Sequence, residues 1–184
     1  MPKVRGAMFL STLIAVRATR GSEAEAAARG ALPPALADAL RQGRIARDDW
    51  YPVSDVAAMH TAIDSVFGGG EEYAEELGRA ATEHDLVGFL GFILSVTSPQ
   101  LLVRYGDLAL RAYFQGVRFE TTMLRANHYR LESHGMVGAN RLMHATFSAG
   151  TCLLLGRTGA RNARISRREM TSAGDCLTEF SWDE

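Results

Sequence analysis

A chain of 184 residues, 47% hydrophobic and 22% charged, has the composition of an ordinary globular protein and the length of one domain with a sizeable core, since domains usually take about 100 to 200 residues. A formal charge of −1 excludes general electrostatic attraction to nucleic acid or acidic membranes. Two cysteines, Cys152 and Cys176, make neither a disulfide framework nor, by themselves, a zinc set, which fits a reducing, cytoplasmic setting.

Near the start, Lys3 and Arg5 precede the apolar stretch Ala7 to Val16. Arg17 and Arg20 follow at once without a small-x-small cleavage pattern, so secretion is not expected. Nothing reaches the roughly 18 apolar residues of a membrane span. Ser22 with Glu23 and Glu25 opens a short helix, and Pro33-Pro34 opens another ending near Gly43. Trp50-Tyr51-Pro52 leads into a helix from Val53 to Phe67, stopped by Gly68-Gly69-Gly70; no Gly-Lys-Ser/Thr follows, so the glycines end a helix and do not cradle phosphate. Glu71 to His84 is acidic, with Tyr73, Leu77 and Ala81 on one face. Leu86 to Leu94 has no polar face and is expected to be enclosed or to line a cavity. Ser98 is the expected N-cap and Pro99 the first position of a helix stopped by Gly116, with Leu101, Tyr105, Leu108 and Tyr113 or Phe114 pointing inward.

The rest reads strand, strand, helix, strand, strand. Val117 to Ser133 is a hairpin, with Val117, Phe119, Met123, Tyr129 and Leu131 on the alternating apolar positions and Ala126-Asn127 at the turn. Met136 to Leu155 is dense in Ala, Met and Leu and forms a helix. Asn162 to Met170 pairs with a last strand whose Cys176, Thr178, Phe180 and Trp182 share one face. In the turn between them Gly174 takes positive φ and Asp175 bonds its own backbone. The fold class is α+β: a mainly helical part, residues 1–116, packed on a four-stranded antiparallel sheet of ββαββ order, residues 117–184, in a single domain.

Arg5-Gly6-Ala7-Met8-Phe9-Leu10-Ser11, Trp50-Tyr51-Pro52, the glycine stop at 68 to 70, Ser98-Pro99 leading to Tyr113-Phe114, and Gly174-Asp175 with Phe180 and Trp182 together resemble a myxobacterial family of unknown function. That family is similar, more remotely, to the superfamily of the 4-vinyl reductase domain, the TRAPP tethering subunits, the sensing domains of aromatic-responsive activators and the haem nitric-oxide/oxygen-binding domain. The resemblance implies an apolar small molecule enclosed between helices and sheet, and in some relatives a metal near the last hairpin. The family's cysteines in the two terminal strands correspond here to Met170 and Thr178, and Cys176 is displaced by two residues, so no metal is expected.

The five histidines, His60, His84, His128, His134 and His144, contain no i, i+4 helical pair and no H-E-x-x-H. By analogy with the haem-binding relatives, His60 or His84 could supply an axial ligand, but the companion Tyr-x-Ser-x-Arg is missing. Cys152 has no charged or histidine neighbour within a turn and reads as a small buried hydrophobe. Glu83-His84-Asp85 are adjacent and so diverge on a helix. Arg157, Arg161, Arg164, Arg167 and Arg168 read as a solvated face. No catalytic residue and no cofactor is assigned, and the chain is not expected to be an enzyme. Two readings stand side by side: a sensory or regulatory module whose Phe89, Phe92, Tyr105, Tyr113, Phe114, Phe147 and Cys152 line an apolar ligand pocket, and a homodimeric or partner-docking interaction protein with no ligand.

Overall fold

The computed structural model describes residues 1–86 and 96–183. The apolar run expected to be enclosed therefore lies outside the described residues, apart from Leu86, which is buried. The N-terminal part consists of β1 (Lys3–Arg5), α1 (Gly6–Arg20), α2 (Ser22–Ala31), α3 (Pro34–Arg41), β2 (Trp50–Pro52), α4 (Val53–Phe67), α5 (Gly70–Asp85), α6 (Pro99–Arg111) and β3 (Phe114–Gln115). The C-terminal part is β4 (Arg118–Arg125), β5 (His128–His134), α7 (Arg141–Arg157), β6 (Arg161–Met170) and β7 (Cys176–Asp183). It is the expected ββαββ arrangement, with antiparallel strand order β4-β5-β7-β6.

The sheet presents its apolar face to α7. Tyr129 pairs with Phe180 across β5 and β7, and their rings stack 4.9 Å apart at 12°. Phe180 is fully buried, as are, nearly so, Cys176, Thr178 and Trp182 of the same strand face, which is the alternation the sequence shows. On the opposite face Glu179 accepts from Arg130 at 2.8 Å and lies near His128 and Arg167, a charged ladder suited to a solvated sheet surface. Asn127 donates to the Trp182 carbonyl at 2.7 Å, so the first hairpin's turn is fastened to the last strand.

Behind α7 lies α5, and the two approach closely because Gly78 removes a side chain. A Cβ there would sit 2.7 Å from the carbonyl carbon and 2.9 Å from the Cα of Thr146. Asn140 caps α7 by accepting from Met143 N at 2.9 Å, while its amide donates to Ala57 O and Thr61 Oγ1 on α4. Arg168 on β6 reaches across to Glu71 and Glu75 of α5. The helical layer is thus joined to the sheet chiefly through α7.

Several local expectations change. α7 begins at Arg141, not Met136, because Asn140 is its cap and Gly138 takes φ 92 just before it. Ser98 does cap α6, accepting from Leu101 N at 3.3 Å, but the helix ends at Arg111, short of Gly116, because Phe114–Gln115 pairs with β1. The inward face of α6 is Val103, with Leu102 and Leu110 partly buried, whereas Leu101, Tyr105 and Leu108 are 46%, 54% and 65% exposed. Met123 is also exposed, although it keeps register opposite Tyr129, because it lies near the far end of the edge strand β4. Asp175 does not bond its own backbone; its Oδ1 accepts from Gly135 N and Met136 N at 2.7 and 3.0 Å. The small sheet β2-β1-β3 carries no periodic signature, since its strands are two or three residues long.

Candidate functional site

An aromatic cluster forms where the helical part meets the sheet. Phe114 follows α6, Phe119 begins β4 and Phe147 lies on α7. Their ring centroids are 5.1 Å apart for Phe114 and Phe119, 5.7 Å for Phe114 and Phe147, and 6.1 Å for Phe119 and Phe147. Edge-on geometry between the first two pairs is favourable for aromatic quadrupoles. Tyr113 is half-buried beside this cluster, and Cys152 is half-buried further along α7. Tyr105 stands apart in solvent. Phe89 and Phe92 lie outside the described residues. Of the seven candidates, the structure brings Phe114 and Phe147 into contact and adds Phe119, whose alternation in β4 was the signal for its burial.

A polar hub adjoins this region at the end of α5. Ser11 donates to Asp85 at 2.8 Å and Arg47 donates at 2.9 Å, joining α1, α5 and the loop before β2. Burial, and then the negative charge of Asp85, push the Tyr113 phenol up. Sequence reading missed the hub because Ser11 and Arg47 lie 74 and 38 residues from Asp85. The neighbouring Glu83 pairs with Arg157 and His84 is exposed, so the three adjacent residues part as expected. The C-terminal arginines are paired: Arg164 with Asp183, Arg167 with Glu169, and Arg168 with Glu71 and Glu75.

Neither thiol is poised for reaction. Burial pushes Cys152 up to about 11 and also raises Cys176, so both are protonated at neutral pH, when the thiolate is the nucleophile. His60, buried between α4 and α7, is lowered to about 4 by loss of water. Its Nδ1 lies 3.4 Å from Thr146 Oγ1, and its Nε2 has no hydrogen-bond partner among the described residues. His144 bonds the Gly174 carbonyl through Nε2 at 2.8 Å and is lowered by burial. Among the described residues no three His, Cys, Asp or Glu side chains gather as a metal site requires.

The described surface carries clefts of different character. One of about 520 Å³ is bordered by Glu71, Arg141, His144, Arg168, Glu169 and Met170; a second of about 250 Å³ lies between α3 and α4. The aromatic cluster borders neither. No helix among the described residues is long and apolar enough to cross a membrane.

Comparison with solved structures finds a near full-length likeness of fold. The H-NOX protein from K. algicida, in its Fe(II) unliganded form, superposes with a TM-score of 0.72 at 11% identity, covering 98% of this chain and 97% of that one. An oxygen-binding H-NOX domain related to soluble guanylate cyclases gives 0.61 at 11% identity, over 98% and 95%. A structure described by the modulation of haem redox potential through porphyrin distortion gives 0.59 at 10% identity, over 97% and 99%. No family model matches the chain, and no curated protein matches it. The likeness supports the haem nitric-oxide/oxygen-binding branch of the expected resemblance, as fold; it lends no support to the myxobacterial family or the 4-vinyl reductase domain.

Haem places a demand that these residues can be tested against. Its iron needs an axial donor at the edge of an apolar slot. All five histidines lie among the described residues, and the segment 87–95 holds no His, Cys, Met or Tyr. His84 is exposed, His144 is committed to Gly174, and His128 and His134 lie near Glu179 and Glu132 on the charged face of the sheet. His60 Nε2 is unpartnered among the described residues, but the ring is enclosed where α4 meets α7, beside the close α5–α7 crossing at Gly78. No histidine is placed to serve as the axial donor that haem needs.

Proposed function

We propose that this chain is a non-catalytic sensory or regulatory module that binds a small apolar molecule, in an H-NOX-like fold that uses no haem. The observation that carries this reading is the likeness along almost the whole chain to domains described as binding oxygen or haem. The ligand's place is the junction of α6, β3, β4 and α7, where Tyr113, Phe114 and Phe147 are joined by Phe119; Cys152 lies further along α7, and Phe89 and Phe92 are candidates on the sequence alone. Such a guest is held by burying apolar surface, at about 25 cal/mol per Å². It acts as a signal only if it binds two states of the protein unequally. Asp85, which touches Ser11 and Arg47 and whose charge acts on Tyr113, links this junction to α1.

A second reading, a homodimer or partner-docking protein without ligand, is favoured by Leu101, Tyr105 and Leu108, which place an exposed apolar row on α6. Native mass spectrometry of the purified protein separates the two. The first reading expects a monomer with a bound organic molecule, or one that takes up a fatty acid, with uptake weakened by Phe147→Ala. A bare dimer dispersed by Leu108→Lys, with no uptake, refutes it in favour of the second. Stoichiometric haem after reconstitution, with an absorption band lost in His60→Ala, refutes the haem-free part alone.

A further inference from the structure

The cleft of about 250 Å³ has walls made by Leu36 and Ala39 of α3, Ile45 of the following loop, the ring of Tyr51 and Ala58 of α4, with Asp55 also bordering it. Leu36 and Ile45 are buried. The Tyr51 ring is held in place: its hydroxyl accepts from Ala46 N at 2.9 Å and donates to Arg44 O at 3.0 Å, and Phe9 meets it edge-on at 5.5 Å. This wall is therefore formed before any guest arrives, which lowers the ordering cost of binding.

Asp55 is the unusual member. It has no hydrogen-bond or ion-pair partner among the described residues, and loss of water alone raises its carboxyl. Arg44 also borders the cleft, but its Nε donates to Gln42 at 2.9 Å. An acid in the first turn of α4 complements the helix dipole. That accounts for a carboxylate at this position, but not for the apolar cleft beside it. A half-buried carboxylate next to apolar walls has lost hydration that only a cation or a donor restores, and an aromatic ring nearby favours the same charge. By contrast, in the larger cleft Arg168 and Glu169 already have partners in Glu71, Glu75 and Arg167.

We propose that this cleft binds a small apolar molecule carrying an ammonium group, with the ammonium on Asp55 and the hydrocarbon body against Leu36, Ala39, Ile45, Tyr51 and Ala58. The volume is below the roughly 300 to 1,000 Å³ of sites for drug-sized ligands, which restricts the guest to the size of a branched alkyl amine or an apolar amino acid. The site is separate from the aromatic junction and does not depend on that assignment.

The test uses the ¹⁵N-labelled full chain at pH 7, titrated with isopentylamine, its neutral counterpart isopentanol, and L-leucine. Isopentylamine is expected to shift the amides of Ala39, Ile45 and Ala58 saturably, with isopentanol weaker by about tenfold or more, because the alcohol lacks the charge-assisted bond. Asp55→Asn should bring the amine's affinity down to that of the alcohol, and Ala58→Leu should abolish binding by filling the cleft. Tighter binding of L-leucine than of the amine, reduced by Arg44→Gln, identifies an amino acid as the guest; weaker binding identifies a simple amine. Equal binding of amine and alcohol, unchanged amine binding in Asp55→Asn, or no saturable shift overturns the proposal. Should Asp55→Asn fail to fold, Ala58→Leu and the amine–alcohol comparison in the parent chain decide it.

Discussion

Replacing Gly78 by Ala sets two effects of opposite sign against each other. In an exposed helix interior that change stabilises by about 0.5 to 1 kcal/mol, through the lost backbone entropy of glycine in the unfolded chain. At Gly78 the new methyl would lie 2.7 Å from the Thr146 carbonyl carbon and 2.9 Å from its Cα, against 3.4 to 4 Å for ordinary contact. The obstacle is the backbone of α7, which cannot change rotamer, so α5 and α7 must separate by several tenths of an ångström or more along their shared seam. Overpacking of this kind costs about 1 to 3 kcal/mol, and more where the neighbour is rigid. The net expectation is a loss of at least about 1 kcal/mol. Gly106, in the middle of α6, is the control, since a methyl added there would meet nothing within 4 Å: Gly106→Ala should gain about 0.5 to 1 kcal/mol. Urea unfolding followed by circular dichroism measures both, at unchanged slope. Stabilisation by Gly78→Ala of the same size as by Gly106→Ala would refute the close α5–α7 crossing on which the exclusion of haem partly rests.

Phe180→Ala should cost about 3 to 5 kcal/mol, the range for a large core aromatic, because Phe180 is fully buried and stacked on Tyr129; a loss under about 1 kcal/mol in the same unfolding experiment would place that sheet face in solvent. Arg130 first, then the charges of His128 and Arg167, hold Glu179 below its ordinary value of 4.5, so its contribution is present above that pH and is lost as pH falls through the lower folded value. The stability gap between the parent and Glu179→Gln should therefore narrow on acidification, and a gap independent of pH would count against the ladder. His60, lowered to about 4 by burial, makes the unfolded chain take up a proton first, so its share of stability declines from about pH 6.5 down to pH 4; its imidazole should remain neutral by NMR at pH 5, and titration above pH 6 would mean that water reaches it. The chain should fold without metal, given a core of this size; loss of the folded state on chelation, with stoichiometric zinc or iron by elemental analysis, would contradict this.

What the chain could announce by itself was whatever depends on a few neighbouring residues. Val53–Phe67 is bounded by Pro52 and Gly68, and the structure keeps those limits. Ser98 caps its helix, and the alternation at Cys176, Thr178, Phe180 and Trp182 becomes one buried strand face, since caps and strand periodicity act over single turns and pleats. The same local signals marked an apolar row at Leu101, Tyr105 and Leu108 but not its direction: periodicity reports that a face exists, and tertiary packing selected Val103 instead. The place of β4 at the sheet edge, which leaves Met123 exposed, the pairing of β3 with β1 that ends α6 early, and the capture of Gly135 and Met136 by Asp175 are each settled by a partner far along the chain. So are the candidate sites. Ser11, Arg47 and Asp85 meet, Phe114, Phe119 and Phe147 touch, and Asp55 is left beside Leu36 and Ile45 without an ion-pair partner among the described residues, because packing the whole core brings distant segments together, and no short-range propensity encodes which of them will be neighbours.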